Sequence, residues 1–118
     1  MTQALTHQDY ISTLNYKVVR LLACFRSIGN FTGMEALERI AKHKECECDY
    51  SILGMIEDGV IQLDDADVLF YTDYISNVYG YDMQKFYEAL HKEAQKSDFP
   101  CTGKGIMEIV KKIVYSFK

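Results

Sequence analysis

The sequence predicts an all-α fold: one compact domain, residues 1–118, made of five or six helices, two of them short. Three observations predict it. Apolar residues recur three and four apart through most of the chain, which builds helical stripes rather than strands. The single proline, Pro100, and most of the seven glycines stand where a helix needs a start or a stop. Threonine and aspartate residues sit just ahead of the apolar stripes, as N-caps do.

The first helix is expected over Thr6 to about Ile28, with Ile11, Leu14, Val18, Leu21, Leu22, Phe25 and Ile28 on one face. Thr6 and Asp9 have capping-box spacing, and Gly29 suits the C′ position. A short second helix starts at the capping box Thr32-Gly33-Met34-Glu35 and turns Met34, Leu37, Ile40 and Ala41 inward. Lys42 and Lys44 favour its C-terminal end. Residues 45–49 read as a polar link. Asp49 then caps a third helix through Ile52, Leu53, Met55 and Ile56, closed by Asp58-Gly59. Asp64 caps the fourth, with Asp65 and Asp67 in its first turn, and Gly80 ends it. Asp82 caps the fifth, which carries Met83, Phe86, Tyr87, Leu90 and Ala94. After a loop from Ser97 to Gly103, a sixth helix from about Thr102 carries Ile106, Ile109, Val110, Ile113, Val114 and Phe117. The weak point is 68–81, because Val, Phe, Tyr, Thr and Ile also favour strands. An α+β fold with a strand near 68–71 is the alternative.

Composition narrows the function classes. Hydrophobic residues are 48 % and charged residues 25 % of the chain, enough apolar material for one core. No apolar run reaches the roughly 18–20 residues of a membrane span. The first ten residues lack the basic and apolar regions of a secretory signal. Four cysteines (Cys24, Cys46, Cys48 and Cys101) are sparse for a disulfide scaffold. A reducing, cytoplasmic setting is the expectation. With 13 Lys+Arg against 17 Asp+Glu the net charge is −4, which disfavours direct nucleic-acid binding.

The negative charge is not spread evenly. Residues 1–56 balance, residues 57–82 carry −7 with no Lys or Arg, and residues 83–118 carry +3. The acidic block also holds Tyr71, Tyr74, Tyr79 and Tyr81. Tyrosine is enriched at interfaces, and aspartates without local cations steer a basic partner. The expected docking residues are Asp64, Asp65, Asp67, Tyr71, Tyr74 and Tyr79, of which Asp67, Tyr71 and Tyr74 fall on successive turns of one helix. The competing expectation gives the aspartates to helix caps and solvation and the tyrosines to the core.

Metal and catalytic patterns are weaker. His43-x-x-Cys46-x-Cys48, with Cys101 or His91 as a distant ligand, offers zinc-type donors. Its spacing is atypical, and Glu45, Glu47 and Asp49 disfavour thiolates there. Cys-His catalysis has the letters but no local signature. Leu63-Asp64-Asp65-Ala66-Asp67 lacks the glycine and terminal glutamate of a calcium loop. In Pro100-Cys101-Thr102-Gly103-Lys104-Gly105 the lysine is followed by glycine, so this is not a P-loop. Lys111, Lys112 and Lys118 make the last helix basic, which its own dipole explains.

The expectation is therefore a non-enzymatic, cofactor-free module that blocks or regulates a partner protein through an acidic face. Immunity, antitoxin, anti-defence and adaptor proteins share that profile. A metal sensor built on His43, Cys46, Cys48 and Cys101 is the alternative. The Met and aromatic content serves self-association equally, with a symmetric dimer the commonest outcome. On this reading Asp67→Lys with Tyr71→Ala abolishes capture and leaves the melt near wild type.

Overall fold

The computed structural model describes residues 13–45 and 50–118, and all regular structure there is helical. The elements are α1 (Leu14–Ile28), α2 (Met34–His43), α3 (Tyr50–Glu57), α4 (Asp65–Tyr79), α5 (Met83–Ala94) and α6 (Gly103–Ser116). No strand occurs among the described residues, and 68–71 lies inside α4. Local signals decide that segment. The Asp64 carboxylate accepts from the Asp67 amide at 2.9 Å and starts the helix, and Gly80, at φ 74, ends it in a left-handed turn. Asp82 and Thr102 cap α5 and α6 in the same way.

Two expected caps differ, and two lie elsewhere. The Thr32–Glu35 capping box does not form. Gly33 itself is the N-cap of α2 at φ 71, and Thr32 Oγ1 accepts from the Met34 amide at 3.3 Å. The left-handed turn at Gly33 puts Thr32 one residue too early to reach the N3 amide. Gly29 keeps a right-handed φ of −78, while Asn30 takes the left-handed conformation at φ 54. Glycine at 29 answers to space instead: a Cβ there would collide with the Phe31 ring and the Tyr79 hydroxyl. Thr6, Asp9 and Asp49 lie outside the described residues, where α1 is capped by Thr13 accepting from the Tyr16 amide.

The core is built around α1, which packs on α3, α4, α5 and α6, while α2 packs on α3 and α4. Val18, Val19, Leu21, Leu22 and Phe25 are fully buried along it. Each such side chain contributes about 1.5–3 kcal/mol through burial. Three buried polar arrangements accompany this apolar centre. Arg26 grips Glu57 through Nε–Oε1 at 2.6 Å and Nη2–Oε2 at 2.9 Å, and the buried Tyr71 hydroxyl donates to Oε1 at 3.2 Å. This ties α1, α3 and α4 together. Burial, with the Glu57 charge, pushes the Tyr71 hydroxyl far above its ordinary pKa, so it stays a donor. On α5, Glu93 holds Lys112 of α6 at 3.0 Å and Lys96 at 2.9 Å. Burial opposes ionisation of Glu93, but the two lysine hydrogen bonds outweigh it and lower the pKa. On α4, Thr72 and Ser76 donate to the carbonyls of Val68 and Asp73, both at 2.8 Å, which satisfies two buried hydroxyls within their own helix.

His91 is expected to make the fold pH-sensitive. Its ring lies on Tyr87 at a centroid distance of 4.0 Å, and its buried Nε2 has no hydrogen-bond partner among the described residues. Burial lowers its pKa below the ordinary 6.5, with the Asp65 charge opposing. The unfolded chain therefore takes up the proton first, and stability falls as pH drops below about 6.5. Thermal melts from pH 8 to 5 are expected to show that decline in the wild type and a flatter profile in His91→Gln; superimposable profiles refute the role.

Candidate functional site

The C-terminus of α2 meets the N-terminus of α4, and charge complements both dipoles there. Asp67, in the first turn of α4, is fully buried. His43 Nδ1 lies 3.0 Å from its Oδ1 and Lys44 Nζ 3.1 Å from its Oδ2, the latter an ionic contact rather than a directed hydrogen bond. Asp64 stands beside them. The Asp67 amide holds its carboxyl below the usual range; desolvation opposes, and Lys44 and His43 add to the lowering. Donor atoms of His43, Asp64 and Asp67 all lie within 4.8 Å of one another, close enough to grip a cation. The Lys44 ammonium already supplies a positive charge at that point. The cluster works as an ionic lock between two helices.

The six expected docking residues separate into different roles. Asp67 and Tyr71 are inside the protein, committed to the His43–Lys44 and Arg26–Glu57 networks. They follow the helical spacing read from the sequence, but on the inward side. Tyr79 is half-buried and donates its hydroxyl to the Phe25 carbonyl. Asp64 is an exposed cap, and Asp65 is exposed and accepts from Asn15 Nδ2 at 3.2 Å. Only Tyr74 both belongs to the expected set and faces an open groove. The acidic block is largely answered from outside itself: Arg26 neutralises Glu57, Lys44 neutralises Asp67, and Asp64 and Asp82 cap helices. Asp58, Asp65 and Asp73 remain exposed with neither an ion pair nor a capping role among the described residues.

The groove lies between α2 and α4, with a volume of about 250 Å³. Glu35, Arg39, Phe70, Asp73, Tyr74 and Val78 line it. Arg39 lays its guanidinium on the Phe70 ring, 4.0 Å from the centroid. Glu35 and Asp73 form no ion pair among the described residues. Val78 is 48 % exposed; Leu69, 43 % exposed, stands half a turn round α4 from it and outside the groove. Apart from Tyr74, the lining residues were not among the expected docking residues. Their signal was the i, i+4, i+8 series Phe70, Tyr74, Val78, a second apolar stripe on a helix whose first stripe is core. No protein-family model matches the chain, and comparison with curated proteins and with solved structures finds no match.

The expected metal donors are only partly in view. His43 turns its Nδ1 to Asp67. Cys46 and Cys48 lie outside the described residues. Cys101 is exposed in the loop before α6, where it borders a separate surface pocket with Lys17 and Arg20. Next to it, Thr102 accepts from the Gly105 amide at 3.1 Å, so the glycine-lysine loop is a helix cap. Lys112 pairs with Glu93 of α5, and α6 does not pack on the acidic α4. No helix among the described residues is long and apolar enough to cross a membrane.

Proposed function

We propose that this chain is a protein-binding module whose docking face is the α2–α4 groove, taking a partner segment that presents a lysine or arginine beside an apolar side chain. One observation carries the reading: on α4, Val78 stays exposed beside the part-buried rings of Phe70 and Tyr74, in a groove bordered by the carboxylates of Glu35 and Asp73, which form no ion pair among the described residues. Apolar surface gathered in one place and rimmed by charge marks interaction sites, whereas scattered apolar residues do not. A helix laid in such a groove buries its apolar side chain against Phe70 and Val78 and brings its cation to Asp73. This reading retains Tyr74 from the expected set and replaces Asp64, Asp65, Asp67, Tyr71 and Tyr79 with Glu35, Phe70, Asp73 and Val78.

The test compares two baits in a native lysate: wild type, and the double variant Glu35→Lys with Asp73→Lys. Both sites are exposed, so the variant's stability is expected within about 0.5 kcal/mol of wild type. The expected result is a basic protein captured stoichiometrically by wild type, weakened by salt, and lost by the variant. Equal capture by both baits, or none by either, sinks the reading.

A further inference from the structure

The outer face of α6 is the chemical counterpart of this groove. Lys104, Glu108, Lys111 and Tyr115 recur at spacings of four, three and four, so they share one side of the helix; Lys118 follows just past its end, and all five are exposed. Tyr115 is the most exposed large apolar-bodied side chain among the described residues, at 79 %. Lys112 is turned away to Glu93, but Lys104 and Lys118 have no ion pair among the described residues, and Lys111 reaches Glu108 only at 3.9 Å. The face is thus an aromatic knob between lysines, net positive. The groove is an apolar slot between carboxylates, with its one lining cation, Arg39, held on the Phe70 ring.

Within one molecule the two surfaces cannot meet. α1 packs against both α4 and α6, and α4 and α6 do not pack on each other. We propose that the groove of one copy receives the α6 face of a second copy, with Tyr115 seated beside Phe70 and Val78 and Lys111 and Lys118 facing Asp73 and Glu35. This deepens the docking reading and rests on it, since the same groove is used. Because knob and slot are different surfaces, the contact is heterologous: each copy keeps one free end, and assembly runs head to tail instead of closing as the symmetric dimer expected from composition. It also competes with a foreign partner for the groove, so self-assembly stores the docking face until a basic partner displaces α6.

Full-length chain is examined by sedimentation velocity at low and high salt, over roughly 1 µM to 1 mM, where small transient contacts populate. Three samples are used: wild type, the groove variant Glu35→Lys/Asp73→Lys, and the knob variant Lys111→Glu/Tyr115→Ala. The expected result is a wild-type mass that rises past the dimer with concentration and falls with salt. Each variant alone is expected to associate roughly tenfold or more weakly. Mixed in equal amounts, the intact knob of the first variant and the intact groove of the second form a capped one-to-one pair. A wild type that stays monomeric overturns the inference, and so does a closed dimer insensitive to both variants. Monomers in the mixture while wild type assembles also overturn it. Partner capture that depends on the groove, with a monomeric wild type, leaves the docking reading standing and removes only the self-assembly.

Discussion

Asp67→Lys combined with Tyr71→Ala is expected to leave the protein largely unfolded at 25 °C. Asp67 is fully buried between His43 and Lys44, so a lysine there removes both contacts and buries a second cation beside Lys44. Breaking a buried ion pair by losing one partner costs about 3–5 kcal/mol. Removing the buried Tyr71 ring costs about 3–5 kcal/mol more and strips a hydrogen bond from Glu57. The two sites lie one turn apart on α4 and can couple, so roughly 6–10 kcal/mol is the uncoupled sum, to be set against a whole-domain stability of about 5–15 kcal/mol. Urea unfolding and near-ultraviolet circular dichroism measure this directly. A melt near wild type would mean that both side chains are exposed, and would restore the docking set read from the sequence. Tyr71→Phe separates the ring from its hydroxyl, with an expected loss of about 1 kcal/mol.

Helices were legible where capping and periodicity agreed. Thr102 and Asp82 each precede an apolar stripe with a polar outer face, and α5 and α6 follow them closely. α4 was harder. Its buried residues include Asp67, Thr72 and Ser76, and its exposed ones include Leu69 and Val78, half a turn apart, so no single stripe stands out. Only Asp64 and Gly80 marked it as a helix. The same blurring hid the groove. Acids were read as surface because they are charged, yet Glu57 and Asp67 are neutralised by Arg26 and Lys44, about thirty and twenty positions away. Pairing at that separation depends on the packing of α1 against α3 and of α2 against α4, which local spacing does not encode. The charge arithmetic of the 57–82 block was correct, and tertiary contacts removed much of its significance.

Phe25→Ala is expected to be the most damaging single core substitution outside these polar networks, at about 3–5 kcal/mol, lowering Tm by roughly 10–20 °C. Phe25 is fully buried on α1 and meets Phe86 edge-on at 5.0 Å and Tyr79 edge-on at 5.4 Å. Through those rings it supports Tyr81, which stacks on Phe117 at 4.4 Å. A cavity at Phe25 therefore loosens the junction of α1, α4, α5 and α6 together. Tyr79→Phe is expected to cost at most about 1 kcal/mol, because the Phe25 carbonyl that accepts the tyrosine hydroxyl also accepts the Gly29 amide at 3.0 Å. Thermal melts of the two variants test that ordering, and a Tyr79→Phe loss as large as Phe25→Ala contradicts it. Phe25 meets α4 through the ring of Tyr79, which does not line the groove. The milder Phe25→Leu is thus expected to lower Tm while the folded fraction keeps groove-dependent capture, whereas Glu35→Lys with Asp73→Lys does the reverse. That reciprocal pattern follows if α4 presents one side to the core and the other to a partner, and no arrangement in which Tyr71 or Tyr79 does the docking produces it.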